Sequence, residues 1–191
     1  MKTQPHVARI NRGAHGDLYE TPWEVIWLLR DVLGDFTLDV CASPENAKAP
    51  KFYTEEDDGL AQPWHGKVWC NPPFSMKKEF LRCAVESRQD CESIAVLLPN
   101  NARETDWWRQ FVWEQADEII TLAPRVQFTI NGKRPVRLHN NKTTQSGVAY
   151  GSCIAVYRPR FHTVRYGCPR EYILDIIEEA IWRGSCRENC A

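Results

Sequence analysis

Lys67-Val68-Trp69-Cys70-Asn71-Pro72-Pro73-Phe74 is a short apolar run that ends in an amide, two prolines and an aromatic ring. The run reads as a buried strand. The prolines stop it, because each fixes φ near −65° and lacks the N–H that a sheet ladder needs. A second run, Ser93-Ile94-Ala95-Val96-Leu97-Leu98, stopped by Pro99, suits a central parallel strand covered on both faces.

Helical and strand segments alternate around these two. Thr21, Pro22 and Glu24 predict a helix start with Thr21 as N-cap and Glu24 closing a capping box, and Gly34 predicts its end. Strands are predicted over 36–41, 52–54, 119–122, 125–130 and 148–157, and helices over 76–89 and 103–116. Ile173, Ile176, Ile177, Ala180 and Ile181 fall at helical spacing and predict a C-terminal helix over 170–183. Such alternation predicts an α/β domain, a mostly parallel sheet with helices on both faces, with its ligands beyond the carboxyl ends of the strands.

The 191 residues, 43% of them hydrophobic, suffice for one domain, predicted over 17–191 behind a flexible tail over 1–16. No stretch of eighteen apolar residues and no apolar leader is seen, which points to a cytoplasmic protein with no membrane contact. The eight cysteines form no C-x-x-C pair and read as reduced thiols. His162, Cys168, Cys186 and Cys190 fit no zinc spacing, so no metal is expected. Charge is uneven. From Ile119 through Arg170 there are nine basic residues and no acidic one, while the rest of the chain holds 15 basic against 25 acidic residues. A one-signed block suits a phosphate backbone. Its polar stretch over 131–147, with Lys133, Arg134, Arg137, Asn140 and Lys142, is predicted to be a mobile target-recognition loop on nucleic acid.

The proline turn carries the chemistry. The Asn71 side-chain oxygen and the Pro72 carbonyl are two acceptors suited to the two N–H donors of an exocyclic base amine. Phe74 offers a face for a base taken out of its stack. Acidic groups at neighbouring strand ends, Asp39, Asp57 and Asp58, suit the amino and hydroxyl groups of a nucleoside-bearing cofactor. Cys70 as a thiolate nucleophile would leave Asn71 and the prolines without a role.

Taken in order, Tyr19-Glu20-Thr21-Pro22, Leu38-Asp39-Val40-Cys41-Ala42, Asp57-Asp58-Gly59-Leu60 and Trp69-Cys70-Asn71-Pro72-Pro73-Phe74 resemble the phage-type DNA N-6-adenine-methyltransferases, the Dam-related family. The resemblance covers about residues 17 to 160. It implies a Rossmann-like S-adenosylmethionine-dependent methyltransferase fold and methyl transfer to adenine N6 in DNA. It implies catalytic roles for Asn71, Pro72, Pro73 and Phe74. Tyr19, Thr21, Pro22, Asp39 and Ala42 would contact the methionine part of S-adenosylmethionine, and Asp58 with Leu60 would border its adenine. Double-stranded DNA with base flipping is the expected partner, with no obligatory protein partner. Cytosine N4, RNA or a protein glutamine as the methyl acceptor, or an idle nucleic-acid-binding module, are the alternatives. One departure stands out: Cys41-Ala42-Ser43-Pro44-Glu45-Asn46 carries no glycine where a cofactor loop usually has several. The ribose acid is left open among Glu55, Glu56 and Asp57.

Overall fold

The apolar residues of the two central strands alternate in the face they bury, and this alternation builds two cores. In the computed structural model, which describes residues 17, 19–133, 136–139, 142–145, 150–160 and 168–176 (136–139 and 142–145 as backbone only), Val68, Cys70, Ile94, Val96 and Leu98 bury on one face. Trp69, Ala95 and Leu97 bury on the other. Helix α1 (Trp23–Leu33) covers the second face with Val25, Ile26, Leu29 and Leu33. Helix α2 (Lys77–Ser87) covers the first with Phe80, Leu81 and Ala84. Burial on both faces explains why these strands read as continuous apolar runs rather than alternating ones.

The strands are β1 (Leu38–Asp39), β2 (Lys51–Phe52), β3 (Gly66–Cys70), β4 (Cys91–Pro99), β5 (Glu118–Ala123), β6 (Val136–His139), β7 (Lys142–Gln145), β8 (Ser152–Tyr157) and β9 (Arg170–Asp175). Seven of them form one sheet in the order β2-β1-β3-β4-β8-β5-β9, and β6 and β7 pair apart as an antiparallel ribbon. Within the sheet β8 alone runs against its neighbours β4 and β5; the other pairs are parallel. The chain passes from β1 outward to β2, then crosses back to β3 on the other side of β1. The crevice at such a reversal, beyond the carboxyl ends, is where open α/β sheets bind ligands.

Several predicted elements differ. The capping box does not form: α1 begins at Trp23 with Pro22 at its N-cap and no side-chain cap, because Thr21 turns inward and is buried. Gly34 does end α1, at φ 81° with its N–H bonded to the Arg30 carbonyl. The 125–130 segment buries Val126 and Phe128 but lies in no sheet; Thr129 only bridges to Glu20 and Ile130 to Lys133. The 103–116 helix is reduced to a π-helical stretch, Trp108–Trp113, after a single preceding turn. The loop over 131–147 contains the β6–β7 ribbon, since Val136–His139 and Lys142–Gln145 pair residue by residue. The helix over 170–183 begins instead as strand β9, parallel to β5. There Tyr172 and Leu174 pack on the α1-side core, while Ile173 on the other face is 67% exposed. An apolar residue on the open face hides the two-residue period. Residues 177–183, the 1–16 tail, Arg134, Asn140 and the His162, Cys186 and Cys190 thiol and imidazole groups lie outside the described residues.

Candidate active site

Asp39 ends β1 and is 2% exposed. One carboxylate oxygen accepts the Cys41 N–H at 3.2 Å and the other the Lys48 N–H at 3.0 Å. It thus ties both ends of the loop that follows β1. The Asn46 side-chain oxygen accepts the Ser43 N–H at 2.8 Å inside that loop. Side-chain oxygens thus accept three of this loop's amides, those of Cys41, Ser43 and Lys48. Burial pushes the Asp39 carboxyl up to about 6, against the opposing pull of those two N–H groups and the Lys48 charge.

The neighbouring turn after β2 also depends on close approach. A side chain on Gly59 would meet the Val40 carbonyl at 2.2 Å, so glycine is required there. Asp58 adopts φ 53° and its Oδ1 accepts the Leu60 N–H at 3.3 Å. Asp57 is engaged elsewhere: its Oδ2 accepts the Thr54 N–H at 2.8 Å and the Thr54 hydroxyl at 2.7 Å, and it does not line the crevice, whereas Glu55 and Glu56 do.

At the end of β3, the Asn71 Nδ2 donates to the Tyr19 carbonyl at 2.8 Å. A carbonyl can only accept, so this bond fixes which end of the amide is nitrogen and leaves Oδ1 as the outward acceptor. Pro72 is buried, and the Pro73 carbonyl accepts the Met76 N–H at 2.9 Å to start the turn that leads into α2. Asp17 holds that turn from outside, accepting the Ser75 N–H at 3.1 Å and hydroxyl at 2.7 Å. Phe74 leans on Tyr150, ring centres 6.1 Å apart. Cys70 is fully buried under α2, and burial drives its thiol well above the ordinary range, which is the opposite of an activated nucleophile.

These groups surround a cavity of about 680 Å³ at the reversal between β1 and β3. Of the residues singled out in the sequence, Tyr19, Thr21, Asp39, Ala42, Asp58, Leu60, Asn71, Pro72 and Pro73 line it. Pro22 and Phe74 do not. Lys133 is exposed outside the cavity, and Arg137 and Lys142 lie on β6 and β7. The Thr21 hydroxyl is buried with no hydrogen-bond partner among the described residues. A buried orphan hydroxyl beside a cavity of this size fits a polar, nucleoside-sized ligand. Sequence reasoning missed Asp17 and Lys48, and gave Glu20 no role of its own within the Tyr19-Glu20-Thr21-Pro22 motif; all three line the crevice. Lys48, with its ammonium 4.5 Å from the Trp23 ring centre, belongs to no recognisable motif. No group of metal-ligating side chains occurs among the described residues.

A sequence profile of the DNA N-6-adenine-methyltransferase (Dam) family matches residues 10–165. The chain belongs to this family. Its sheet order and reversal-point cavity agree with that membership. The DNA N-6-adenine-methyltransferase of Escherichia phage T1 is 36% identical over 124 residues, 63% of this chain and 51% of the relative. That of Haemophilus phage HP1 (strain HP1c1) is 30% identical over 128 residues, 66% of this chain and 74% of the relative. The chain therefore spans about half the length of the first of these Dam-family relatives and about three quarters of the second. Among the described residues no helix is long and apolar enough to cross a membrane.

Proposed function

We propose that this chain is an S-adenosylmethionine-dependent DNA methyltransferase acting on the exocyclic N6 amine of adenine, in the cytoplasm of a bacterial or phage-infected cell. The observation that carries the reading is the orientation of Asn71, whose nitrogen is held by Tyr19 so that its oxygen is left to accept. Family membership and the names of both phage relatives support adenine as the acceptor.

The residues divide the work as follows. Thr21, Asp39, Ala42, Asp58 and Leu60 hold the cofactor, with Glu55 or Glu56 toward its ribose; Tyr19 contributes its carbonyl to Asn71, and Pro22 serves only to start α1. S-adenosylmethionine in this cavity supplies an electrophilic sulfonium methyl. Asn71 Oδ1 and the Pro72 carbonyl take the two amine hydrogens, aim the nitrogen lone pair and stabilise the positive charge that grows there. Pro73 keeps those acceptors in place. Bound S-adenosylmethionine would give its methyl to that nitrogen and leave as the thioether, and the amine proton displaced would pass to solvent, since the Asn71 and Pro72 oxygens hold hydrogen bonds but are too weakly basic to keep it. Phe74, with Tyr150 behind it, stacks a base flipped from double-stranded DNA. Lys133, Arg134, Arg137, Asn140 and Lys142 meet the DNA outside the cavity.

Incubation with methyl-labelled cofactor and unmethylated DNA, followed by digestion to nucleosides, tests the reading. The label is expected in N6-methyldeoxyadenosine. Label in N4-methyldeoxycytidine would move the chemistry to the other base, and cofactor binding without transfer would make the chain an idle module. Asn71→Ala is expected to lose about a hundredfold or more in kcat while still binding cofactor by calorimetry. Near wild-type turnover in that variant would overturn the catalytic assignment.

A further inference from the structure

Successive residues of the segment that precedes α1 are tied to different parts of the site. Asp17 holds the turn after Phe74, and the Tyr19 carbonyl holds the Asn71 amide. Glu20 holds something else. Its backbone pairs with Thr129, N to O at 2.9 Å and O to N at 3.2 Å. Its carboxylate accepts the Thr129 hydroxyl at 3.1 Å, the Asn131 N–H at 3.1 Å and the Gly132 N–H at 3.0 Å.

The geometry of that turn explains why an anion sits there. Ile130 and Lys133 close it with two backbone hydrogen bonds, 2.8 and 3.1 Å, and both central residues are left-handed, Asn131 at φ 51° and Gly132 at φ 69°. Two such residues in the order Asn-Gly make a type I′ turn. Its adjacent N–H groups converge on one side, a concavity that favours negative charge. Glu20 fills it. Three residues past this turn the chain enters β6, the first strand of the basic ribbon.

We propose that Glu20 is a positioning residue: by occupying the Asn131–Gly132 turn it fixes the root of the basic ribbon to the same peptide segment that orients Asn71, so that DNA held by the ribbon is registered against the acceptor of the target amine. This rests on the proposed meeting of the ribbon with DNA.

Two measurements on the full chain test it. Without DNA, hydrogen exchange at the Asn131 and Gly132 amides is expected to be slow in the wild type and at least about tenfold faster in Glu20→Ala. With a duplex oligonucleotide, Glu20→Ala is expected to weaken binding roughly tenfold, and Thr129→Val, which removes one donor and leaves the carboxylate, about two- to threefold in the same direction. In a chain whose residues 136 to 145 are replaced by a glycine-serine linker, adding Glu20→Ala should change DNA affinity by less than about twofold, because coupled positions do not add. Fast exchange in the wild type, or the same loss in both backgrounds, overturns the proposal. Slow exchange combined with DNA affinity that is indifferent to the linker overturns it as well, and shows that the fault lies in the ribbon's proposed meeting with DNA rather than in the clamp.

Discussion

A buried hydroxyl without a hydrogen-bond partner among the described residues, as at Thr21, costs the cofactor-free domain up to about 1–3 kcal/mol. Thr21→Val keeps the shape and removes the polar atom. It is therefore expected to raise the unfolding free energy of the cofactor-free chain, by about 1 kcal/mol in a urea titration, while weakening cofactor binding about tenfold by calorimetry. Equal affinity in both forms would place the cofactor's polar groups elsewhere. Asp39 follows a similar logic through pH. Burial raises its carboxyl to about 6, so between about pH 4 and 6 the folded chain holds a proton that the unfolded chain has released. The contribution is fully present below about pH 4 and is lost as pH rises through 6, at most about 3 kcal/mol. Urea titrations across that range should show stability falling with pH in the wild type and a flatter profile in Asp39→Asn. The ionised form that weakens the empty domain favours a cationic ligand. Cofactor affinity should accordingly rise between about pH 5 and 7 in the wild type and stay level in the variant.

At the scale of elements, legibility follows burial. Strands β3 and β4 are readable because both faces are covered, and the end of α1 because Gly34 must be left-handed. The start of α1 misleads because Thr21 has the right residue type for a cap but is spent on the cavity. Strand β9 misleads because its register against β5 is set by an open sheet edge far away in sequence, and Ile173 masks its period. Most of the candidate site is legible from its motifs; Asp17 and Glu20 are not, since their partners lie 58 and more than 100 residues away. The basic block is only partly a footprint. Arg158 pairs with Glu118 at 3.0 Å, and Arg160 donates to the Gln115 carbonyl at 2.6 Å, both past the end of β8, which runs away from the cavity. Those two arginines are thus engaged within the fold, and the proposed DNA contacts rest on the ribbon and its root. Replacing Lys133 and Arg134 by alanine should lower the slope of log affinity against log salt by about 0.9 for each phosphate no longer neutralised, alike for all sequences. Binding measured at several salt concentrations on two unrelated duplexes checks this, and an unchanged slope would exclude both residues from the interface.

Across the whole molecule the sheet separates chemistry from cohesion. The carboxyl ends of β1 and β3 carry the cavity. The amino ends of β4 and β5 carry a buried arginine, Arg88, at 4% exposure. Its guanidinium donates to the Arg158 carbonyl from Nε at 2.8 Å and Nη2 at 2.6 Å, to the Gln115 carbonyl at 2.8 Å and to Asp117 at 2.6 Å. Asp117 also accepts the Arg158 N–H at 2.8 Å. One side chain therefore joins the exit of α2, the approach to β5 and the end of β8, three elements distant in sequence. Arg88→Met keeps the aliphatic stem and deletes every donor, leaving a partly buried carboxylate and two carbonyls without the guanidinium. A loss of about 3–5 kcal/mol is expected in denaturant titrations, typical of breaking a buried pair from one side. Cys70, at the cavity end of β3, lies level with Val96, so five residues of β4 separate this network from the cavity end of the sheet, about 17 Å at the usual rise per residue. The kcat per folded molecule, measured at low temperature where the variant remains native, should therefore match the wild type. A fall in kcat with stability intact would mean that the two ends of the sheet act on one another, and the separation of roles argued from the topology would not hold.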